Sequence, residues 1–150
     1  MRTLVDFIKL ELFRDLNISL SDLNNSGKTL LYNSETTNGD KVIVCVEHVI
    51  NVLNKLKEKR ITQLDLIQWI YTIRFSDLFE FCEDQHEIIL NIFDEIAETT
   101  RGNYAGSAQG FSVTHTDILN ILDGNILEEL IIVKKISESD IDKYIAHLSE

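Results

Sequence analysis

The sequence predicts an all-α, single-domain helical bundle of about six to eight helices over residues 1–150, with a short hairpin as an alternative near residues 29–46. Three observations carry this. Apolar residues recur at three- and four-residue intervals along most of the chain. Ser or Thr followed three positions later by an acid marks several helix starts. None of the 150 residues is proline, which removes the strongest helix breaker and the usual linker composition.

The elements follow in order. Leu4, Phe7, Ile8, Phe13 and Leu16 define a first helical face, and Ser19-Leu20-Ser21-Asp22 opens a weaker second segment. Asn33 to Asp40 is a polar turn whose Asn38-Gly39-Asp40 either closes a hairpin or caps the next helix. The β-branched run Val42–Val46 suits a strand, yet Ile43, Val46, Ile50 and Leu53 continue a helical face to Leu56. That favours a helix over residues 40–58, with strand and helix both open for 41–46. Thr62 and Asp65 form a capping box before a helix that runs to Ile73.

Ser76 is expected to cap a short acidic-aromatic helix and Asp84 the next, in which Ile88, Ile89, Ile92, Phe93 and Ile96 share one face. Three glycines in residues 100–110 mark a flexible loop, Thr114 with Asp117 makes another capping box, and Gly124 stops that helix. The apolar residues from Ile126 to Ile136 suit a helix, with a strand open for 130–136. Ser137 or Ser139 then caps a terminal helix that buries Ile141, Tyr144, Ile145 and Leu148.

Composition excludes several function classes. The longest apolar runs, Val42–Val46 and Leu130–Val133, are far too short to span a bilayer, and charges at Asp6, Lys9 and Glu11 break up any leader-like core, so a cytoplasmic location is expected. Cys45 and Cys82 each sit in an apolar periodic segment, where reduced core cysteines are the expectation. With 25 acids against 14 bases the formal charge is -11, which repels nucleic acid and anionic membranes and favours a cationic partner.

No complete catalytic or metal signature is present. Cys82 and His86, at i and i+4 beside Glu83 and Glu87, are two metal-ligand types on one helix face, but no C-x-x-C or H-E-x-x-H pair completes a site. A core cysteine and a surface histidine are the plainer reading. His48, His86, His115 and His147 fall in different segments, so none is marked as the base for a thiol nucleophile. Gly102, Gly106 and Gly110 lack the lysine and hydroxyl of a phosphate-binding loop, and Asp123-Gly124 stands alone without the spacing of a calcium loop. No enzyme, cofactor or metal is predicted.

The most informative segment runs from Phe75 to Thr100, which has no lysine or arginine but eight carboxylates, interleaved with aromatic rings. Exposed helices ordinarily intersperse Lys with Glu, so this self-repulsion has been tolerated for solubility or for a partner. Acids that steer and rings that anchor are the two ingredients of a tight protein interface. Phe79 and Phe93 suit the core. The predicted partner-binding residues are Tyr71, Phe75, Asp77, Glu80, Phe81, Glu83, Asp84, Glu87, Asp94 and Glu98.

The segment Arg60 to Ile70, RITQLDLIQWI, resembles a family of small, acidic, mostly helical bacterial immunity proteins, with Ile61, Thr62, Asp65, Leu66 and Trp69 matching its pattern. His86 to Glu98 and Thr114 to Leu122 resemble the acidic helix and the later aspartate-bearing segment of the same family. The family's second tryptophan has no counterpart at Ile73, and residues 125–150 stand as an addition. The resemblance implies an immunity factor that protects a cell from a contact-dependent or colicin-like toxin. The expected partner is a cognate toxin with a basic surface, often a nuclease, held one to one. A helical adaptor for a resident cellular protein is the alternative, and an enzyme built around Cys82, Glu83 and His86 a more distant one.

Overall fold

A computed structural model describes residues 3–23, 30–31, 34–101, 115–125 and 134–150. The chain is mostly helical, but not purely so. Strand β1 (Thr3–Val5) leads through the Asp6 cap, whose carboxylate accepts the Ile8 N–H, into helix α1 (Phe7–Arg14). A 3-10 turn at Leu20–Leu23 follows, then β2 (Ser34–Thr36), β3 (Val42–Val44) and α2 (Val46–Lys57). Next come α3 (Gln63–Phe75), β4 (Phe79–Phe81), a 3-10 turn at Glu83–Gln85, α4 (His86–Arg101), α5 (His115–Leu122) and α6 (Glu138–Leu148).

The strands correct the all-α expectation. β1 pairs with β2 and β3 pairs with β4, both in parallel, so β2 and β3 do not form the hairpin allowed for residues 29–46. The turn between them is still local chemistry. Gly39 takes φ +79°, while the Asn38 side chain accepts from the Asp40 N–H and the Thr36 hydroxyl donates to the Asp40 carbonyl at 2.5 Å. This turn carries the chain from one ladder to the other.

Val42–Val44 alternates inward, outward, inward, so the helix predicted over 40–58 begins only at Val46, after the cap residue Cys45. Ser76 does not start a helix either. Its buried hydroxyl donates to the Leu30 carbonyl at 2.5 Å and accepts the Leu78 N–H, which ends α3 and launches β4 where a short helix was expected. Asp84 lies inside the 3-10 turn, and α4 begins at His86. By contrast, the capping box of Thr62 with Asp65 forms as read, Ser137 rather than Ser139 is the cap of α6, with Asp140 completing a box there, and Gly124 takes φ +73° after α5. The loop at 102–110, the Thr114 cap and the segment 126–133 lie outside the described residues.

Among the described residues the buried side chains form one cluster, whose largest fully buried members are Trp69, Phe13 and Phe93. Trp69 meets Phe93 edge-on at 5.8 Å, and its indole N–H donates to the Arg14 carbonyl at 3.0 Å. Lys55, buried beside it, donates to the Asp15 carbonyl at 2.6 Å and to Asn17 Oδ1 at 2.7 Å. Two side chains from α2 and α3 thus satisfy carbonyls that the end of α1 leaves without intrahelical partners. Burial lowers the Lys55 pKa, the Arg60 charge adding to the effect while Asp15 and Glu58 oppose it.

The last segment is tied in rather than appended. The Gln63 side-chain amide donates to the Lys134 carbonyl and accepts the Ile136 N–H, and Lys57 pairs with Asp142 at 2.6 Å. The Tyr144 hydroxyl meets Thr99 Oγ1 at 2.6 Å beneath α4.

Candidate functional site

Helix α4 sorts its residues by face. Ile89, Ile92, Phe93 and Ile96 are buried, while Glu87, Asn91, Asp94 and Glu98 are exposed. Their spacing of four, three and four places them one above another, and at 1.5 Å per residue the stripe from Glu87 to Glu98 runs about 16 Å. Glu83 and Asp84 are exposed on the turn that precedes it. Among the described residues, Glu80, Glu83, Asp84 and Glu87 have no cation within salt-bridge distance. Asp94 is the exception in the stripe, paired with Arg74 at 2.7 Å. Glu95, beside it, reaches His147 at 3.5 Å, an ion pair only when that imidazole is protonated.

Glu80 sits on β4, where register sets it against Ile43 of β3, and both side chains face outward. Sequence reasoning missed Ile43 as part of this surface. The strand alternation of Val42–Val44 was the available signal, and it was overridden by a helical face that continues beyond it. Asp77 points elsewhere, into an open cleft of about 370 Å³ that Glu35, Asp40 and Lys41 also line.

The aromatic candidates separate. Phe75 is 40% exposed and stacks on Tyr71 at 5.9 Å, with the Arg74 guanidinium 5.4 Å from its ring centre. Tyr71, covered in this way, is only 8% exposed, so it leaves the predicted surface. Phe81 is half-buried between the Phe93 edge at 6.2 Å and the stacked His86 ring at 5.1 Å. Phe79 and Phe93 are core residues. Leu4, expected on the first helical face, lies on β1 instead, and both it and Ile8 are exposed.

The cysteines overturn the free-thiol expectation. Cys45 follows β3 and Cys82 follows β4, one step beyond the paired Val44 and Phe81, so parallel register brings them together. Their Cα atoms are 5.1 Å apart and the sulfurs are bonded. A periodicity argument places each cysteine on a face but cannot see a partner 37 residues away. The bridge also removes the thiol from the Cys82 and His86 grouping.

A different set of ligand types gathers at the start of α2, where a Cys45 sulfur, a Glu47 oxygen and a His48 ring nitrogen lie within 4.8 Å of one another. The sulfur belongs to the bridge, and His48 Nδ1 accepts the Cys45 N–H at 2.8 Å, which fixes the other nitrogen as the protonated one. That tautomer offers a metal no free lone pair on the ring. Burial lowers the His48 pKa, with the Arg14 charge next in effect.

These features define a mostly helical protein with a carboxylate-lined face and two stapled or hydroxyl-locked strand pairs. Among known proteins, no family model, no curated protein and no solved structure matches the chain. None of the described helices is long and apolar enough to cross a membrane.

Proposed function

We propose that the protein acts by stoichiometric binding, as an immunity protein that neutralises a basic toxin domain in the cytoplasm through the acidic face of β4, the following turn and α4. The observation that carries the reading is the run of exposed carboxylates Glu80, Glu83, Asp84 and Glu87, which have no cationic partner among the described residues. Unpaired charge of one sign keeps its field, and that field accelerates encounter with a cationic surface while repelling nucleic acid and anionic lipid. Ile43 beside Glu80, with Phe75 at the end of α3, supplies apolar area that charge alone lacks.

A toxin that grips phosphates with lysines and arginines would present the complementary surface. Capping that surface blocks substrate sterically, and no chemistry is asked of the inhibitor. The test is growth rescue and pull-down against the C-terminal domain encoded by the adjacent upstream gene. Rescue with a one-to-one complex supports the reading, and neither rescue nor complex replaces it with an adaptor role. Converting Glu80, Glu83 and Glu87 together to Gln should slow association roughly tenfold at low salt and flatten its salt dependence. Unchanged kinetics would remove this face as the binding site.

A further inference from the structure

We propose that Cys45–Cys82 is a reversible thiol–disulfide exchange site, taking a small or protein-borne thiol as co-substrate, in which Cys82 is the sulfur attacked and Cys45 departs as the thiolate. The proposal stands apart from the acidic-face reading, because it rests on how the two sulfurs are held.

Both cysteines are half-buried, so an incoming thiol can reach them. The strands that carry them are pinned without the bridge. Val42 N–H donates to the Leu78 carbonyl and Cys82 N–H to the Val44 carbonyl, each at 2.9 Å, before the sulfurs. Beyond them, the Val46 N–H donates to Gln85 Oε1 at 2.8 Å. Reduction therefore leaves the two thiols side by side, with a Cα separation of 5.1 Å that lies within the range of ordinary bridges. Re-closure is then intramolecular, at the high effective concentration that such tethering gives.

The two sulfurs are not equivalent. Cys45 is the cap residue of the 12-residue helix α2, where the N-terminal amides favour a thiolate. Arg14, whose guanidinium donates to the Ile43 carbonyl at 3.0 Å, is paired with Asp15 at 3.2 Å and so adds little net charge here. A Glu47 oxygen within 4.8 Å of the Cys45 sulfur opposes the helix amides, and His48 is held as a neutral ring by the Cys45 N–H it accepts. Cys82 precedes only a three-residue 3-10 turn, and the next two residues are the exposed carboxylates Glu83 and Asp84, which disfavour a second negative charge. The better leaving group is the sulfur whose surroundings favour the thiolate, and the helix N-terminus assigns that role to Cys45.

The chemistry balances with a thiol as reductant. A thiolate RS⁻ attacks the Cys82 sulfur, the Cys45–Cys82 bond breaks, and its electron pair stays on Cys45. A second RS⁻ attacks the R sulfur of the mixed disulfide and releases Cys82, and the two protons shed as the two RSH ionised pass through water to Cys45 and Cys82. One bridge and two RSH become two protein thiols and RSSR.

The test uses the full chain in glutathione buffers of graded ratio without denaturant, quenched with acid and counted by maleimide mass tags. The expected result is a reversible passage from no tags to two, the same from either direction, with a single glutathione adduct mapping to Cys82 at intermediate ratios. Iodoacetamide should alkylate Cys45 in Cys82→Ser roughly tenfold faster at neutral pH than it alkylates Cys82 in Cys45→Ser. Two tags at every ratio, or a bridge that opens only in denaturant, would overturn the exchange site. An adduct on Cys45 would overturn the assignment of roles, and this wild-type mapping decides the matter even where a serine variant does not fold.

Discussion

The pairs β1–β2 and β3–β4 are both three-residue parallel ladders, and at the centre of each an outward aliphatic residue lies beside an outward glutamate, Leu4 with Glu35 and Ile43 with Glu80. Their inner faces differ. β1 buries only Val5 and β2 turns Ser34 and Thr36 inward, whereas β3 and β4 turn Val42, Val44 and Phe79 into the core and are joined by a disulfide just past the last rung. Two strands of this length have little stability of their own. One pair is therefore carried by hydrocarbon burial, with the covalent link closing its far end, the other by side-chain hydroxyls that bond to the turn and to the chain entering α1, as in the Phe7 N–H to Thr37 Oγ1 bond at 3.2 Å. The same ladder geometry thus serves as part of the core in one place and as a polar clasp in the other.

This contrast can be broken in a graded way. Phe79→Ala removes a buried ring packed 6.3 Å from Phe13, and a loss of about 3–5 kcal/mol in urea unfolding is expected. Reducing the bridge should cost about 2–4 kcal/mol, because the bond closes a loop across a sequence separation of 37. Midpoints measured with and without dithiothreitol test this, and Cys45→Ser should abolish the difference. On the other pair, Thr36→Val leaves the Asp40 carbonyl without its hydroxyl donor, for a smaller loss of about 1–2 kcal/mol. A Thr36→Val cost equal to that of Phe79→Ala would show that the polar clasp bears as much as the core.

The smallest effect expected is a pH slope. Burial first, and Arg14 second, lower the His48 pKa on folding, so the unfolded chain binds a proton before the native one does. The stability associated with the neutral ring is complete above the unfolded value of about 6.5 and declines as pH falls through the lower native value. Urea midpoints of His48→Asn, which keeps a carbonyl acceptor at this position, should decline less steeply from neutral to mildly acidic pH than those of the wild type. Equal slopes would show that the Cys45 N–H bond does not depend on the ring's charge state.

Legibility followed the range of the interaction. The capping box at Thr62 could be read, and Ser137 named as one of two candidate caps, because donor and acceptor are three residues apart. The exposed stripe Glu87, Asp94 and Glu98 followed from helical periodicity, as did the burial of Ile92 and Phe93. Tyr71 misled because its cover is Phe75, four residues along the same helix, stacked on it rather than splayed to solvent. Val42–Val44 misled because its partner β4 is distant in sequence, and a β-branched run with a helical continuation satisfies both periods locally.

By itself the sequence determined the charge, the lack of proline, the helix starts that a side chain can cap, and which side of α4 would be acidic, since each depends on residues within a turn of one another. Only the tertiary structure decided that the strands pair in parallel, that Cys45 meets Cys82, that Trp69 and Lys55 close the end of α1, and that Ile43 lies beside Glu80. Those contacts join residues tens of positions apart, and their formation depends on the packing of the whole core rather than on any local preference.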